Sequence, residues 1–469
     1  MKTLVRRIST IICTITLAFT LMAKPAQAYS DIALVRQAPG WGSIPVASSN
    51  GDGSFTVTNA GITNFIDKWA PTGGVKVITG DFNGNGRTDI ALVRQAPGWG
   101  SIPVAFSEGD GSFTVTNAGI SNFIDKWAPT GGVKVITGDF NGNGRTDIAL
   151  VRQAPGWGSI PVAFSNGDGS FTVTNAGISK FINQWAPTGG VKVITGDFNG
   201  NGRTDIALVR QAPGWGSIPV AFSNGDGSFT VTNVGITNFI DKWAPTGGVK
   251  VLTGDFNGNG RTDIALVRQA PGWGSIPVAF SNGDGSFTVT NAGITKFIDK
   301  WAPTGGVKVL TGDFNGNGRT DIALVRQAPG WGSIPVAFSE GDGSFTVTNA
   351  GISNFINQWA PAGGVKVITG NFNCDSRTDI ALVRQAPGWG SIPVAFSEGD
   401  GSFTVTNAGI SNFINQWAPA GGVKVITADF GFRELQYICD QGDQQDQGDQ
   451  GDQGDQGDQQ EMVLQHCNS

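Results

Sequence analysis

The nonapeptide DFNGNGRTD occurs five times in the chain, with oxygen-bearing side chains at its positions 1, 3, 5 and 9. In the first copy these are Asp81, Asn83, Asn85 and Asp89, and Arg87 at position 7 offers its backbone carbonyl. Alternate residues of a tight loop converge, so the spacing gathers two carboxylates, two carboxamides and a carbonyl around one point. An all-oxygen donor set of this kind suits Ca²⁺, which takes about six to eight oxygens, and the glycine at position 6 permits the sharp turn. The equivalent ligands are Asp139, Asn141, Asn143, Arg145 and Asp147, then Asp197, Asn199, Asn201, Arg203 and Asp205. Asp255, Asn257, Asn259, Arg261 and Asp263 follow, and Asp313, Asn315, Asn317, Arg319 and Asp321 complete the five. A sixth copy, NFNCDSRTD from Asn371 to Asp379, has lost the first carboxylate and both glycines. The plainer reading of NGNG is a tight hairpin turn; five regular loops, each closed by Asp, favour metal.

A second set of residues suits a different chemistry. Trp41, Trp99, Trp157, Trp215, Trp273, Trp331 and Trp389 each stand in a PGWG turn. An indole between two glycines has little to bury against, and its rigid face suits the apolar side of a sugar ring. Arg94 and Gln95 precede one such turn and offer donors to hydroxyls. The other tryptophan of each unit, of which Trp127 is an example, lies beside Phe123 and Ile124 and reads as packing. Catalysis has few instruments here. The only histidine is His466 and the two tyrosines are Tyr29 and Tyr437, so no His-based triad, metal site or acid/base pair fits the body of the chain. A carboxylate pair remains open, but every unit carries the same residues and an enzyme needs a singular site.

The elements that position these residues recur with a fixed period. DIALVRQAPGWGSIPVA begins at Asp31 and returns every 58 residues to Asp379, giving seven copies. Within one period four strand-like runs appear: Val75–Asp81, Asp89–Arg94, Ser101–Ser107 and Phe113–Asn117. Pro103 inside the third argues for an edge or a bulge. NGNGR, QAPGWG and EGDG between the runs are turn chemistry. The longest connection, GISNFIDKWAPTGG, has room for one helical turn. Four short antiparallel strands in each of seven units predict an all-β, seven-bladed β-propeller; a β-solenoid is the alternative. The mature chain opens on a second strand and ends with an extra first strand, Val423–Asp429, so the last strand completes the blade that the first residues begin. Successive hairpin turns alternate ends, which puts the DxNxNG loops on one face and the PGWG loops on the other.

VKVITGDFNGNGRTDIALV resembles the strand–calcium loop–strand core of the FG-GAP/VCBS repeat family, which includes the integrin α-subunit propellers. The likeness covers residues 31–430. The order of NF…W segment, V-strand, loop, D-I strand and NGDGSF turn is also similar to that of secreted seven-bladed fungal and bacterial lectins. The resemblance implies calcium in the loops and carbohydrate binding, without assigning sugar-binding residues.

Composition and charge set the context. Glycine accounts for 71 of 469 residues, and charged residues for 14%. Residues 1–28 carry a basic start, an apolar run from Ile8 to Met22 and Ala26-Gln27-Ala28, which reads as a Sec signal peptide cleaved after Ala28. That run is shorter than the ~20 residues of a spanning helix, so a secreted or periplasmic product without a transmembrane segment is expected. Residues 29–436, the propeller, are close to neutral and show no electrostatic footprint for nucleic acid. Residues 437–469 hold seven Asp and Glu461 but no Lys or Arg, and read as a disordered DQG-rich tail. Export removes Cys13 and leaves Cys374, Cys439 and Cys467 in an oxidising compartment. Cys439 lies just past the closing strand, within reach of the degenerate sixth loop, so a Cys374–Cys439 disulfide is one pairing; accidental thiols or pairing between chains are the others. The expectation is a monomeric ring acting as a calcium-stabilised, multivalent, lectin-like protein for a glycan surface. An adhesion or structural propeller for extracellular protein partners is the alternative, and a polysaccharide-active enzyme the least favoured.

Overall fold

Each 58-residue period folds into one four-stranded antiparallel sheet, and seven such sheets stand in a ring. The computed structural model describes residues 29–431 apart from single residues at 63, 121, 179, 237, 295, 353 and 411. The expected signal peptide, the acidic tail, Cys439 and Cys467 lie outside the described residues. In the second blade the strands are Val75–Gly80, Asp89–Arg94, Ser101–Ser107 and Phe113–Gly119, paired in that order from the axis outward.

The apolar pattern explains why blades stack. DIALVR is a nearly unbroken apolar run, and Ile90, Ala91, Leu92 and Val93 are all fully buried. Such a run suits a strand with no solvent face. Its side chains alternate between two joints. Ile90 and Leu92 meet Ala33, Val35 and Val46 of the preceding blade, whereas Ala91 and Val93 meet Ile148 and Leu150 of the next. Seven apolar clusters result, one at each joint. Each buried Val, Leu, Ile or Phe is worth roughly 1.5–3 kcal/mol. Among the described residues the one ion pair is Arg377–Asp375, so apolar burial rather than surface charge holds the blades together. Every joint also carries one edge-to-face phenylalanine pair, such as Phe82–Phe171 at 6.3 Å.

Two local expectations are refined. Pro103 lies in an interior strand, with partners on both sides, rather than on an edge. Its missing N–H falls where the ladder is already broken: the second and third strands pair only at Ile90↔Ala105 and Ala91↔Val104. In four of the blades the third strand starts only after the proline, as at Val46–Ser49 and Val162–Ser165. The expected helical turn is a single wide π-turn, Phe123–Trp127, repeated in each blade, with Phe123 and Ile124 buried in the joint.

The ring closes as the sequence predicts. Val423–Ala428 pairs along its whole length with Asp31–Arg36, from Asp31↔Ala428 to Arg36↔Val423. The closing blade therefore takes its inner strand from the C-terminal end and its other three, through Phe55–Thr58, from the N-terminal end. Phe430 and Phe113 form the same ring pair here, at 5.9 Å, that other joints make.

Candidate functional site

The DxNxNG loops join blade to blade. The Asp81 carboxylate turns inward, with Oδ1 accepting N–H bonds from Gly84 (2.7 Å) and Asn85 (3.1 Å) and Oδ2 from Gly86 (2.8 Å). Asn83 and Asn85 each accept from the backbone N–H two residues on, at 3.1 and 2.9 Å. Phe82 is fully buried and plugs the joint. Its carbonyl accepts the Ser165 hydroxyl of the next blade at 2.6 Å, and the Asp81 carbonyl accepts the Thr146 N–H of the next loop at 2.6 Å. The loops thus form a linked chain around one face.

Position 9 is different in kind. Asp89 is fully buried, and its two oxygens accept from Ser107 N–H and Phe82 N–H, each at 2.9 Å. Burial, with the Asp81 carboxylate adding to it, pushes Asp89 up to about 7 against the opposing pull of those N–H bonds. Asp147, Asp205, Asp263 and Asp321 behave alike.

The donor chemistry fits a hard divalent cation. All side-chain donors are oxygen, two carboxylates lie within electrostatic reach of each other, and no cationic side chain pairs with either in the five intact loops. Each loop brings two carboxylates rather than three; no cluster of three or more His, Cys, Asp or Glu occurs among the described residues. Carboxamide and carbonyl oxygens would have to complete the shell.

The sixth loop makes an instructive contrast. Cys374 and Ser376 keep the left-handed backbone of the glycines they replace, with φ of 65° and 73°. Arg377 turns onto Asp375 at 2.6 Å, whereas in an intact loop Arg145 donates to the Ser165 carbonyl at 2.9 Å. The sixth loop thus pairs its carboxylate with a guanidinium inside the loop, which no intact loop does. Cys374 is disulfide-bonded, and its partner lies outside the described residues.

The PGWG tryptophans lie on the opposite face. Arg94 donates to the Gly73 carbonyl at 3.1 Å, tying that turn to the connection entering its own blade. Trp99 is half-buried between exposed Gly98 and Gly100. It has more to rest on than its glycine neighbours suggest, because it packs against the clusters on both sides of its blade. The Arg94 guanidinium stands 6.0 Å from its ring centre, and four other blades repeat the stack at 5.7–5.9 Å. Gln95, expected as a donor to ligand, is committed to the next blade, donating to the Val133 carbonyl at 2.9 Å. Trp127 packs beside Phe123 and Ile124 as anticipated. Sequence reasoning passed over one repeated charge, the lysine of every VKV[IL]TG inner strand; its signal was a lone cation recurring in each otherwise apolar run.

Fold and loops together define a seven-bladed β-propeller built from strand–loop–strand repeats joined at their loops. The chain belongs to the FG-GAP-like repeat family, whose model matches residues 81–150, 139–208, 197–266 and 255–324. No curated protein matches it. Among solved structures it is similar to an Agrocybe aegerita lectin described as recognising non-reducing terminal N-acetylglucosamine. That likeness has 21% identity and a TM-score of 0.65, and covers 86% of this chain and 96% of the lectin; it establishes the shared fold. A Photorhabdus luminescens Tc holotoxin pore (12% identity, TM-score 0.42, 78% of this chain and 16% of that one) and a Dos1 propeller (10%, 0.37, 86% and 95%) are too distant to carry an argument.

Proposed function

We propose that this chain is a secreted, calcium-stabilised propeller that binds carbohydrate multivalently through the PGWG tryptophans. The observation that carries the reading is the repeated pairing of a half-buried indole with an arginine on one face of the ring. The guanidinium and the flanking clusters fix the ring, so little side-chain entropy remains to be lost on binding. A single indole–sugar contact is weak, but several engaged at once on a glycan surface gain avidity without new contacts. The Agrocybe aegerita lectin shares the architecture, which makes terminal N-acetylglucosamine the first sugar to test. Calcium in the five intact loops would be held by Asp81, Asn83, Asn85, the Arg87 carbonyl and Asp89 and their equivalents, and would neutralise each carboxylate pair.

A glycan array probed with the mature protein tests this directly. Replacing Trp99, Trp157 and Trp215 with Ala should weaken retention on a responding glycan surface by at least about tenfold through lost valency; the lost packing also lowers the melting temperature, so retention is measured well below the variant's melt, where circular dichroism shows the sheets intact. Retention equal to wild type, or binding only to immobilised proteins, overturns the reading.

A further inference from the structure

The centre of the propeller carries seven positive charges. Lys76 and its six equivalents at 58-residue steps, ending at Lys424, occupy the second position of every inner strand. Inner strands end their sheets, so their free edges face the axial channel. Five of the seven lysines reach to the next blade. Lys76 Nζ donates to the Val135 carbonyl at 3.1 Å, Lys134 to Val193 at 2.8 Å, and Lys424 crosses the seam to Val77 at 2.8 Å. Lys250 and Lys308 have no hydrogen-bond partner among the described residues.

Capping an edge carbonyl explains a donor there but not a charge. Two residues earlier on the same strand a neutral amide caps the equivalent carbonyl, Gln37 on Val75 and Gln95 on Val133, both at 2.9 Å. Charge at the lysine position carries a cost. Burial lowers the Lys134 pKa, and the ammoniums of Lys76 and Lys192 lower it further. Among the described residues no carboxylate pairs with any of them. A cavity of about 430 Å³ lies against four of the seven, Lys76, Lys134, Lys192 and Lys424, together with threonines including Thr79 and Thr137. Each capping ammonium has three N–H groups and spends one on a carbonyl. The remaining donors of the lining lysines border a channel that holds positive charge with no counter-charge among the described residues.

We propose that the axial channel is a binding site for a compact multivalent oxyanion, whose oxygens accept the free ammonium N–H groups of the lysine ring. A ring of point charges on flexible stems selects charge density rather than planar shape, which suits an oligophosphate or a small polycarboxylate. The site is separate from the tryptophans and from the DxNxNG loops, so it stands or falls independently of the carbohydrate reading.

Titration calorimetry at low ionic strength tests it, with resin-stripped protein so that chelation of calcium contributes nothing. Inorganic pyrophosphate should bind, chloride at equal ionic strength should not, and citrate in a parallel arm separates a general polyanion site from a phosphate site. Lys134→Gln with Lys192→Gln removes two charges that line the cavity, and an amide still caps a carbonyl there as Gln95 does, so the ring should stay folded and pyrophosphate affinity should fall by about tenfold or more. Affinity should also fall steeply with added salt. No binding at millimolar pyrophosphate, or unchanged affinity in the folded double variant, overturns the proposal. The chain's own acidic tail is the rival occupant. If pyrophosphate binds only after the seven Asp between 440 and 458 are changed to Asn, the channel belongs to the tail and the proposal fails.

Discussion

Asp139 and Asp147 open and close one loop, yet their surroundings set them apart. Asp147 is fully buried and accepts the N–H groups of Ser165 (2.9 Å) and Phe140 (3.0 Å), one from the third strand and one from the loop itself. Asp139 is half-exposed and accepts only from its own loop. Asp147→Ala strands two buried donors, each costing about 1–3 kcal/mol, so urea denaturation of calcium-stripped protein should show a loss of about 2–6 kcal/mol, and with calcium present that loop's share of the metal-dependent gain should go as well. Asp139→Ala should cost less in calcium-stripped protein and remove one loop's share of the calcium-dependent gain. Equal losses for the two variants under both conditions would contradict the division. The affinity of each loop should be modest, about 10⁻⁴–10⁻³ M as in extracellular modules, because only two carboxylates serve it.

At the scale of the loop and the turn, close approach between blades decides which glycines matter. Gly111 of the GDGSF turn has φ of 81°, and a Cβ there would fall on the Thr58 side chain of the preceding blade. Gly100 beside Trp99 has open space around it and no positive φ. Gly111→Ala should therefore destabilise by about 1–3 kcal/mol, through strain and overpacking, while Gly100→Ala stays within about 0.5 kcal/mol of wild type. The reverse order in a thermal melt would refute the inter-blade contact. The sixth loop offers the opposite experiment. Ser376 holds φ of 73° without being glycine, so Ser376→Gly should stabilise by about 1 kcal/mol. We further propose that Cys439 is the partner of Cys374, tying the sixth loop to the segment beyond the closing strand; non-reducing peptide mapping that joins Cys374 to Cys467 would refute it.

For the whole molecule the seam is the distinctive joint, because there the chain ends hold each other. Asp31 takes the place of Asp89 and accepts from Ser49 N–H and Phe430 N–H, at 3.1 Å each. Burial, with Asp429 adding repulsion, pushes Asp31 up to about 7. Asp429 is itself pushed up to about 6, again chiefly by burial. An acid whose folded pKa exceeds its unfolded value near 3.8 holds extra protons only when folded. Its contribution is present in full below about pH 4 and is lost as pH rises through 6–7. The wild type should lose melting temperature relative to Asp31→Asn as pH goes from 5 to 8. A constant difference over that range would show that Asp31 titrates as an ordinary carboxyl. Calcium bound in the proposed loop sites would act on the same whole-ring scale, since the loops are linked from blade to blade. Millimolar Ca²⁺ should raise the melting temperature of resin-stripped protein in one cooperative step, and no shift would remove the structural-metal reading.

Much of this architecture is set locally and was therefore legible in the sequence. The 58-residue period, the four runs per unit and the split seventh unit determine seven blades and their closure, because strand register, turn chemistry and chain order are encoded within each repeat. Alternation of turns between two ends likewise placed the DxNxNG and PGWG loops on opposite faces. Other properties arise only when blades meet. Gln95 reads as a free donor until Val133 of the next blade is beside it, and Trp99 reads as unsupported until two joints flank it. Asp89 looks like one more loop ligand, but burial between blades gives it a second role and a raised pKa. The seven lysines lie 58 residues apart in sequence and become one charged ring only when the propeller closes. Single-strand patterns specify what each blade is; desolvation and charge convergence at the joints and the axis depend on distances that only the closed ring creates.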